Sequence, residues 1–370
     1  MPEKTYFIGL ISGTSIDGID CALVSFTNGF PTLEATLTQK YKPDLRDKIF
    51  TLCEQNEVSL KLLGETDIAI GLCFADVVRQ LLSDQNLDAT QIKAIGSHGQ
   101  TIFHKPQQPL PFSLQIGDPN TIAFATGITT VADFRRKDMA AGGQGAPLAP
   151  LFHRFFFNSA AHNRVIVNLG GIANISVLAP EQTYLGYDTG PANVLMDYWV
   201  NKHKQLAYDD DGNWAATGAV NADLLELLMD ELYFSKPEPK STGREYFNGD
   251  WLEGKLSHFN QTCDAADVQA TLLELTATTV VTEIENQLSP DQVFICGGGA
   301  YNSTLVNRID ELLPDSQVDS TEYIGLAPDW VEAVTFAWLA QQRLGKNPVD
   351  SRSVTGASCE VVLGGVYLPG

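Results

Sequence analysis

The sequence predicts an α/β fold of two lobes, and the prediction rests on a pattern that occurs twice. Residues 6–26 read as a strand, a polar glycine-rich turn and a second strand, because two short apolar runs flank residues 12–18. Residues 164–179 repeat this arrangement around Gly170 and Gly171. Each hairpin is followed by a long helical stretch and by a strand that leads into glycines. This duplication predicts two lobes built on one plan.

Composition agrees with two domains and excludes some partners. A chain of 370 residues exceeds the usual size of a single core. The net charge of −21 argues against nucleic acid or an anionic membrane as a partner, since both require basic surface. The apolar runs are too short to span a bilayer, no secretion signal is expected, and the six scattered cysteines suit a reducing cytoplasm.

The first lobe is expected to cover residues 1–132. Apolar spacing predicts its elements after the hairpin. These are a strand at 32–38, helices at 44–54 and 58–83, a strand at 92–96 ending in a polar turn at 96–101, and strands at 112–116 and 129–132 around a short helix beginning near Asp118.

The second lobe is expected to cover residues 133–370, with a glycine-rich tail that can pack back on the first lobe. Its predicted elements after the boundary follow the same reasoning. They are a helix at 148–157, the second hairpin, a strand at 184–187, helices at 194–203, 220–232 and 265–287, a strand at 293–296, and helices at 303–313 and 330–344.

The first hairpin turn has the composition of a phosphate site. Gly13 and Gly18 allow backbone amides to converge on a ligand, and the hydroxyls of the turn add donors. Asp17 and Asp20 suit a hydrated Mg²⁺ that accompanies a phosphate. A plain glycine-rich hairpin is the alternative, and the recurrence at residues 164–179 favours the phosphate site.

A nucleotide is therefore expected between the two hairpins, although the Gly-x4-Gly-Lys-Ser/Thr loop and the protein-kinase signatures are absent. Glycines at 297–299 would let adenosine lie flat against the backbone. The residues assigned to the nucleotide are Gly13, Thr14, Ser15, Ile16, Asp17, Gly18, Ile19, Asp20, Asn168, Gly170, Gly171, Gly297, Gly298, Gly299 and Asn302.

Residues 133–147 place three consecutive cations and a glycine-rich run in an acidic protein. A guanidinium can hold a carboxylate through two hydrogen bonds, so Arg135 or Arg136 is a candidate for an anionic group of the substrate. Alternation along an extended segment would let at most two of the three cations face a cleft. A solvated linker between the lobes is the alternative.

Asp188 is the best candidate for a general base. It follows a predicted strand and precedes a helix start marked by Gly190 and Pro191. The tripeptide Asp188-Thr189-Gly190 also occurs in aspartic proteases. Those enzymes need two such aspartates, whereas this chain has one copy among long helices.

Several longer motifs together resemble the anhydro-N-acetylmuramic acid kinase family. They are Gly-Leu-Ile-Ser-Gly-Thr-Ser-Ile-Asp-Gly-Ile-Asp, Gly-Ser-His-Gly-Gln-Thr, Ala-Asp-Phe-Arg-Arg-Lys-Asp-Met-Ala-Ala-Gly-Gly-Gln-Gly-Ala-Pro-Leu, Asn-Leu-Gly-Gly-Ile-Ala-Asn and Lys-Ser-Thr-Gly-Arg-Glu. The resemblance implies a two-lobed actin-like ATPase fold, with a ribonuclease-H-like mixed sheet and helices in each lobe and ATP in the inter-lobe cleft.

The resemblance also implies an activity in cell-wall recycling. Asp188 would activate a water that attacks the anomeric carbon of 1,6-anhydro-N-acetylmuramic acid, and the released oxygen would attack the γ-phosphate of Mg-ATP. The family usually forms homodimers, and we expect a homodimer here. The residues assigned to the sugar are Ser12, His98, Gln100, Thr101, Asp133, Arg135, Arg136 and Glu332.

Other interpretations stay open from the residues alone. His98 has a plain reading as a turn histidine bound by backbone, and the motif at 240–245 has no role that the sequence supplies. A hexokinase-like kinase would phosphorylate an ordinary sugar hydroxyl without opening a ring. An ATP switch of the actin or chaperone type would need a peptide- or polymer-binding extension after the second lobe.

Overall fold

A computed structural model describes residues 4–13, 16–55, 57–106, 109–180 and 183–370. The chain divides into two compact units. The first unit comprises Met1–Phe152 together with Trp330–Gly370, and the second comprises His153–Asp329. These bounds differ from the expected lobes of residues 1–132 and 133–370, because the segment after residue 132 and the last helix pack with the first sheet.

The first unit contains a mixed sheet with helices. Its strands are β1 (Thr5–Ser12), β2 (Gly18–Thr27), β3 (Phe30–Lys40), β4 (Ile92–Lys105), β5 (Phe112–Ile116), β6 (Thr130–Ala132) and β12 (Gly365–Tyr367). Its helices are α1 (Pro43–Glu54), α2 (Leu60–Asp84), α3 (Pro119–Thr126), α4 (Phe134–Ala140), α11 (Val331–Gly345) and α12 (Arg352–Thr355); α5 (Ala149–Phe157) crosses the boundary between the units.

The second unit contains a smaller mixed sheet. Its strands are β7 (Arg164–Leu169), β8 (Ile172–Leu178), β9 (Leu185–Pro191), β10 (Gln292–Cys296) and β11 (Gln317–Ser320). Its helices are α6 (Asn193–Lys204), α7 (Ala222–Met229), α8 (Gly249–His258), α9 (Ala265–Gln287) and α10 (Ser303–Leu312).

The two sheets share one strand order. Within the described residues the first sheet runs β12-β6-β4-β1-β2-β3, with β5 beside β4, and the second runs β11-β10-β7-β8-β9. In each sheet the first three strands of the unit are antiparallel neighbours, and the next strand pairs parallel to the first. The predicted α/β class, with a ribonuclease-H-like mixed sheet in each half, is confirmed.

Helix α11 lies directly on the first sheet. A Cβ at Gly9 would overlap the carbonyl oxygen of Ala333, and a Cβ at Gly96 would overlap that of Phe336. The two glycines therefore let the helix backbone contact β1 and β4, a packing role that the sequence did not reveal. This contact explains why the C-terminal segment belongs to the first unit.

Some predicted elements were wrong in extent. Strand β4 continues through residues 96–101, which were predicted to be a turn, because these residues pair with both β1 and β5. The register between β1 and β4 shifts between Ser97 and Gln100, which makes a bulge in β4. The backbone of Gly99 has φ +77, and a Cβ there would lie 2.6 Å from Ile116 O, so a glycine allows this bulge. Strands β11 and β12 and helix α8 were not predicted. Across the part of the chain that is described, no helix combines the length and apolar character needed to cross a membrane.

Candidate active site

The first hairpin turn joins β1 to β2, and two of its predicted residues, Thr14 and Ser15, lie outside the described residues. Ile16 has φ 55 although it is β-branched, and its side chain is 2% exposed. A β-branched residue in this region is strained, so burial of the side chain holds the turn in shape. Its amide donates to Gly13 O over 3.3 Å.

Other residues of this hairpin serve packing as well. A Cβ at Gly18 would lie 2.6 Å from Gln39 O, so the glycine allows β3 to approach β2. Ile19 is fully buried in the core of the first unit. Ile16 and Ile19 can therefore offer a ligand their backbone but not their side chains.

Asp17 and Asp20 are the acidic residues of the hairpin. Asp17 is exposed, and Asp20 is half-buried and accepts a hydrogen bond of 2.7 Å from Thr38 Oγ1. Among residues whose placement is described, no cluster of three His, Cys, Asp or Glu forms a metal site. A Mg²⁺ held by one or two carboxylates, water and substrate phosphates needs no such cluster, so this donor set fits the ion.

Ser12, Gln100 and Thr101 meet where β1 and β4 pair. Ser12 Oγ donates to Gln100 Oε1 over 2.5 Å, and Gln100 Nε2 donates to the carbonyl of Thr101 over 3.1 Å. Both Ser12 and Gln100 are buried. The structure thus brings together three of the residues assigned to the sugar, and the pairing fixes the orientation of the Gln100 amide.

His98 is buried beside Arg135. The guanidinium Nε of Arg135 donates to His98 Nε2 over 3.0 Å, and His98 Nδ1 lies 3.0 Å from Gly99 O. Since Nε2 accepts, the proton of a neutral ring resides on Nδ1. Burial, with the adjacent Arg135 charge, holds the pKa of His98 well below its usual range. His98 is therefore a neutral acceptor that orients an arginine.

The glycine-rich run after α4 is fixed by a carboxylate that the sequence did not single out. Asp138 is fully buried and accepts from Gly145 N at 2.8 Å, Ser351 Oγ at 2.5 Å and Thr355 Oγ1 at 2.8 Å. Gly145 O in turn accepts from Arg135 Nη1 at 2.8 Å. Asp138 thus supports Arg135 through the loop. The sequence feature that could have pointed to Asp138 is its position directly after the three cations of residues 135–137.

Arg136 lies in a different environment from Arg135. It is 59% exposed and its Nε donates to Asp133 Oδ1 over 2.6 Å. The alternation expected for an extended segment was wrong, because residues 134–140 form α4 and successive side chains leave a helix about 100° apart. Asp133 begins this helix with φ 61, a left-handed conformation that is uncommon outside glycine.

Glu332 lies in the first turn of α11 and is exposed. Phe336, one turn later on the same helix face, lies 4.7 Å from the His98 ring. Glu332 therefore belongs to the helix face that contacts His98. The first unit gathers every residue assigned to the sugar.

In the second unit, the hairpin turn between β7 and β8 consists of two glycines. Gly171 O accepts from the amides of Ala192 and Val194, and Gly170 O accepts from that of Asn193, at 3.0–3.1 Å. The N-terminus of α6 thus fixes the turn.

The 297–299 glycines contribute differently to the site. A Cβ at Gly297, which has φ +78, would overlap Asn168 Oδ1, and one at Gly299 would lie 2.5 Å from Leu169 Cβ. A Cβ at Gly298 would meet no heavy atom within 4 Å. Packing on β7 therefore explains two glycines, whereas Gly298 borders open space. Asn302 caps α10, since its Oδ1 accepts from Leu305 N at 3.0 Å.

Asp188 lies inside β9, not after a strand as predicted, and Pro191 ends that strand rather than starting a helix. Asp188 is 7% exposed, and its Oδ2 accepts a hydrogen bond from the amide of Thr242 over 3.0 Å. The strand register places Asn168, Asn174 and Asp188 side by side across β7, β8 and β9. A carboxylate so held can accept a proton.

Asn174 is a further candidate site residue that the sequence does not single out, although it ends the motif Asn-Leu-Gly-Gly-Ile-Ala-Asn. The buried Oδ1 atoms of Asn168 and Asn174 have no hydrogen-bond partner among the described residues. Buried polar atoms are nearly always satisfied, so these two are suited to bind a ligand or water beside Asp188.

Comparison with known proteins decides the family. The family profile for anhydro-N-acetylmuramic acid kinase matches residues 5–369. The chain belongs to this family. It is 48% identical over 370 residues to the anhydro-N-acetylmuramic acid kinase of Saccharophagus degradans, covering 99% of this chain and 100% of that one. The enzyme of the same name from Pasteurella multocida is 49% identical over 371 residues, covering 99% and 98%.

Similarity to solved structures is more distant. An activator of the 2-hydroxyisocaproyl-CoA dehydratase from Clostridium difficile, solved with bound ADPNP, is 14% identical with a TM-score of 0.45, covering 92% of this chain and 96% of that one. The family assignment therefore rests on sequence.

Proposed function

We propose that this kinase hydrolytically opens 1,6-anhydro-N-acetylmuramic acid and phosphorylates it, forming N-acetylmuramic acid 6-phosphate and ADP. The reaction serves peptidoglycan recycling and amino-sugar catabolism. The observation that carries the proposal is the buried Asp188 carboxylate, oriented by the Thr242 amide, in a chain nearly half identical to enzymes of that name.

In the proposed reaction, Asp188 takes a proton from water as the water oxygen bonds to the anomeric carbon. The bond from that carbon to the bridging oxygen breaks. The released oxygen attacks the γ-phosphorus of ATP, and ADP leaves with the electrons of the broken phosphorus–oxygen bond. The Asp188 proton is then released to solvent, which balances the reaction. We assign the second hydrogen of the water to Asn174 Oδ1, because Asn174 pairs with Asp188 in the strand register and this oxygen has no hydrogen-bond partner among the described residues.

ATP is assigned to the two hairpins and to the 297–299 glycines. Since the side chains of Ile16 and Ile19 are buried, these two residues are assigned to the nucleotide through their backbone. Asp17 and Asp20 are assigned to a Mg²⁺ through water; when bound, the ion neutralises phosphate charge. Gly298, where a Cβ would meet open space, is the glycine assigned to the adenosine face.

Arg135 is assigned to the lactyl carboxylate of the sugar. A chain at −21 repels an anion over long range, so a local cation must overcome that field. Arg135 is held in place by His98 and Gly145, whereas Arg136 is exposed and paired with Asp133. A guanidinium fixed in advance loses less entropy when it binds, which favours Arg135.

Cytoplasmic location and a homodimer complete the proposal, with a small amino sugar and no nucleic acid or membrane as partners. The acidic net charge supports the exclusions. The test of dimerisation is light scattering of the purified chain.

The reaction is tested in ¹⁸O-labelled water. Ring opening by water places the label on the anomeric oxygen of the first-formed 6-phosphate, once spontaneous anomeric exchange has been timed and subtracted. An unlabelled initial product would instead support a hexokinase-like kinase that phosphorylates a hydroxyl of an open sugar.

A further inference from the structure

The loop at residues 240–245 is a motif without a role in the proposed reaction. It reads Lys-Ser-Thr-Gly-Arg-Glu and lies in the second unit between α7 and α8. Its described contacts converge on Asp188 and on helix α9, and these two sets of contacts give it a role.

Three hydrogen bonds join Asp188 to residues 233–242. The Thr242 amide donates to Oδ2 over 3.0 Å, the Asp188 amide donates to Lys240 O over 3.1 Å, and Tyr233 Oη donates to Asp188 O over 2.7 Å. Strand β9 is the last strand of its sheet among the described residues, so the loop supplies a backbone partner on the side where none of the described strands lies. The loop therefore fixes both the backbone and the carboxylate of Asp188.

Lys240 fixes the loop in turn. It is 4% exposed, and its Nζ lies 2.6 Å from Glu283 Oε1 and 3.1 Å from Phe234 O. The ammonium also lies 5.2 Å from the centroid of the Tyr233 ring. An ammonium enclosed by a carboxylate, a carbonyl and an aromatic face has little freedom to move.

Glu283, on α9, connects the loop to strand β9. One of its oxygens pairs with Lys240, and the other accepts from Tyr187 Oη over 3.0 Å. Gln287, one turn later on α9, donates to the same phenol over 2.9 Å. Tyr187 directly precedes Asp188 in β9, and Lys240 belongs to the loop that contacts Asp188. Glu283 therefore holds both segments that adjoin the candidate base.

A buried ion pair is a weak source of stability, because the cost of desolvating both charges offsets most of their attraction. Replacing such a pair by apolar side chains is often neutral, whereas removing one partner leaves an unpaired charge. The Lys240–Glu283 pair is therefore better explained by the arrangement it imposes than by the stability it adds.

We propose that Lys240 and Glu283 are positioning residues for the reaction, fixing the loop whose Thr242 amide orients the carboxylate of Asp188. This inference rests on the proposed function, in which Asp188 is the base.

The first test compares Glu283→Gln with Glu274→Gln. Glu274 also lies on α9 and forms a part-buried pair with Arg308 at 2.7 Å, away from the loop. We expect Glu283→Gln to lower kcat roughly 10–100-fold, as displacement of a catalytic group does. KM for sugar and ATP should change less than about threefold, since binding groups are untouched. Glu274→Gln should leave kcat at the parental value.

The second test separates positioning from folding. Lys240→Met/Glu283→Leu removes both charges, so its thermal midpoint should return close to that of the parent even if each single variant unfolds readily. We expect its kcat to stay low, because the hydrogen-bonded link between α9 and the loop is gone. Parental kcat in this double variant would overturn the inference.

The third test distinguishes the inference from the proposed function. In an Asp188→Asn background, Glu283→Gln should lower kcat no further, because no base is left to position. An additional loss as large as in the parent would overturn the positioning role while leaving Asp188 as the base. Near-normal turnover of Asp188→Asn alone would instead refute the proposed function.

Discussion

Each unit uses one buried carboxylate to hold a loop beside a candidate site residue, but the two carboxylates are satisfied differently. In the first unit Asp138 accepts hydrogen bonds from the Gly145 amide and from two hydroxyls. In the second unit Glu283 accepts from the ammonium of Lys240 and the phenol of Tyr187. Dipoles therefore stabilise the first charge, and a counter-charge stabilises the second.

Because the two carboxylates have different partners, mutating Asp138 and mutating Glu283 should have different consequences. Removing Asp138 leaves the Gly145 amide and the Ser351 hydroxyl without an acceptor, whereas Thr355 Oγ1 can still donate to Ser351 O at 3.1 Å. The result is primarily a loss of stability. Removing Glu283 leaves a buried ammonium, and replacing both members of that pair can restore stability. The first carboxylate supports an arginine assigned to binding, and the second supports the carboxylate assigned to chemistry. We therefore expect their variants to change different kinetic constants.

The largest expected effect is at the residue that the second carboxylate supports. Asp188→Asn keeps the side-chain shape and removes the proton acceptor, so kcat should fall on the order of 10² or more. ATP binding, measured by calorimetry, should be largely retained. Turnover close to the parental rate would remove Asp188 from the mechanism.

The next effect concerns the first carboxylate. Asp138→Ala should lower the free energy of unfolding by about 3 kcal/mol, because three buried hydrogen bonds to the carboxylate are lost. Urea unfolding of the purified variant measures this loss. Ser351→Ala removes one of the three hydrogen bonds and should cost about 1 kcal/mol. Equal losses in the two variants would contradict the shared role assigned to Asp138.

Elements whose structure depends on one local segment are predictable from the sequence. The helix predicted at 265–287 is α9, with the same bounds, because its apolar spacing and its length are properties of one segment. Both hairpins were found for the same reason. The duplicated plan followed from their recurrence, and the matching strand orders confirm it.

Features that depend on a partner distant in the chain are not predictable from the local sequence. Lys240 and Glu283 are 43 positions apart, so no local pattern announces their pair. The polar, glycine-rich composition of residues 96–101 predicts a turn, whereas pairing with β1 and β5 makes these residues part of a strand. In the C-terminal tail, Gly365–Tyr367 likewise form β12 through pairing with β6.

A smaller effect distinguishes the two arginines of the first unit. Arg135→Ala should raise KM for the muramic sugar roughly 10–100-fold, as the loss of a charged hydrogen-bonded contact implies. Arg136→Ala is the matched control and should change it less than about threefold, because its exposed guanidinium pairs with Asp133. An anhydro-glucosamine analogue without the lactyl group should respond little to either variant. Equal effects of both variants would refute the assignment.

The smallest expected effect is a pH dependence in the second unit. His153 is fully buried, with Nδ1 2.8 Å from Ser176 Oγ, and burial lowers its pKa to about 3. An unfolded histidine titrates near 6.5, so below that pH the unfolded state binds more protons than the folded state.

Stability from neutral His153 is thus fully present above pH 6.5 and declines as the pH falls toward 3. Between pH 7 and pH 5 the loss should be about 2 kcal/mol, since each unit of difference in pKa corresponds to 1.36 kcal/mol. His153→Gln can still hydrogen-bond Ser176. Measured by urea unfolding, the free energy of unfolding of this variant should fall by about 2 kcal/mol less than that of the parent between pH 7 and pH 5. His162→Gln is the control, because His162 is exposed, and it should follow the parent. An unchanged slope in His153→Gln would show that the acid sensitivity arises elsewhere, and the buried His98 of the first unit would be the next residue to test.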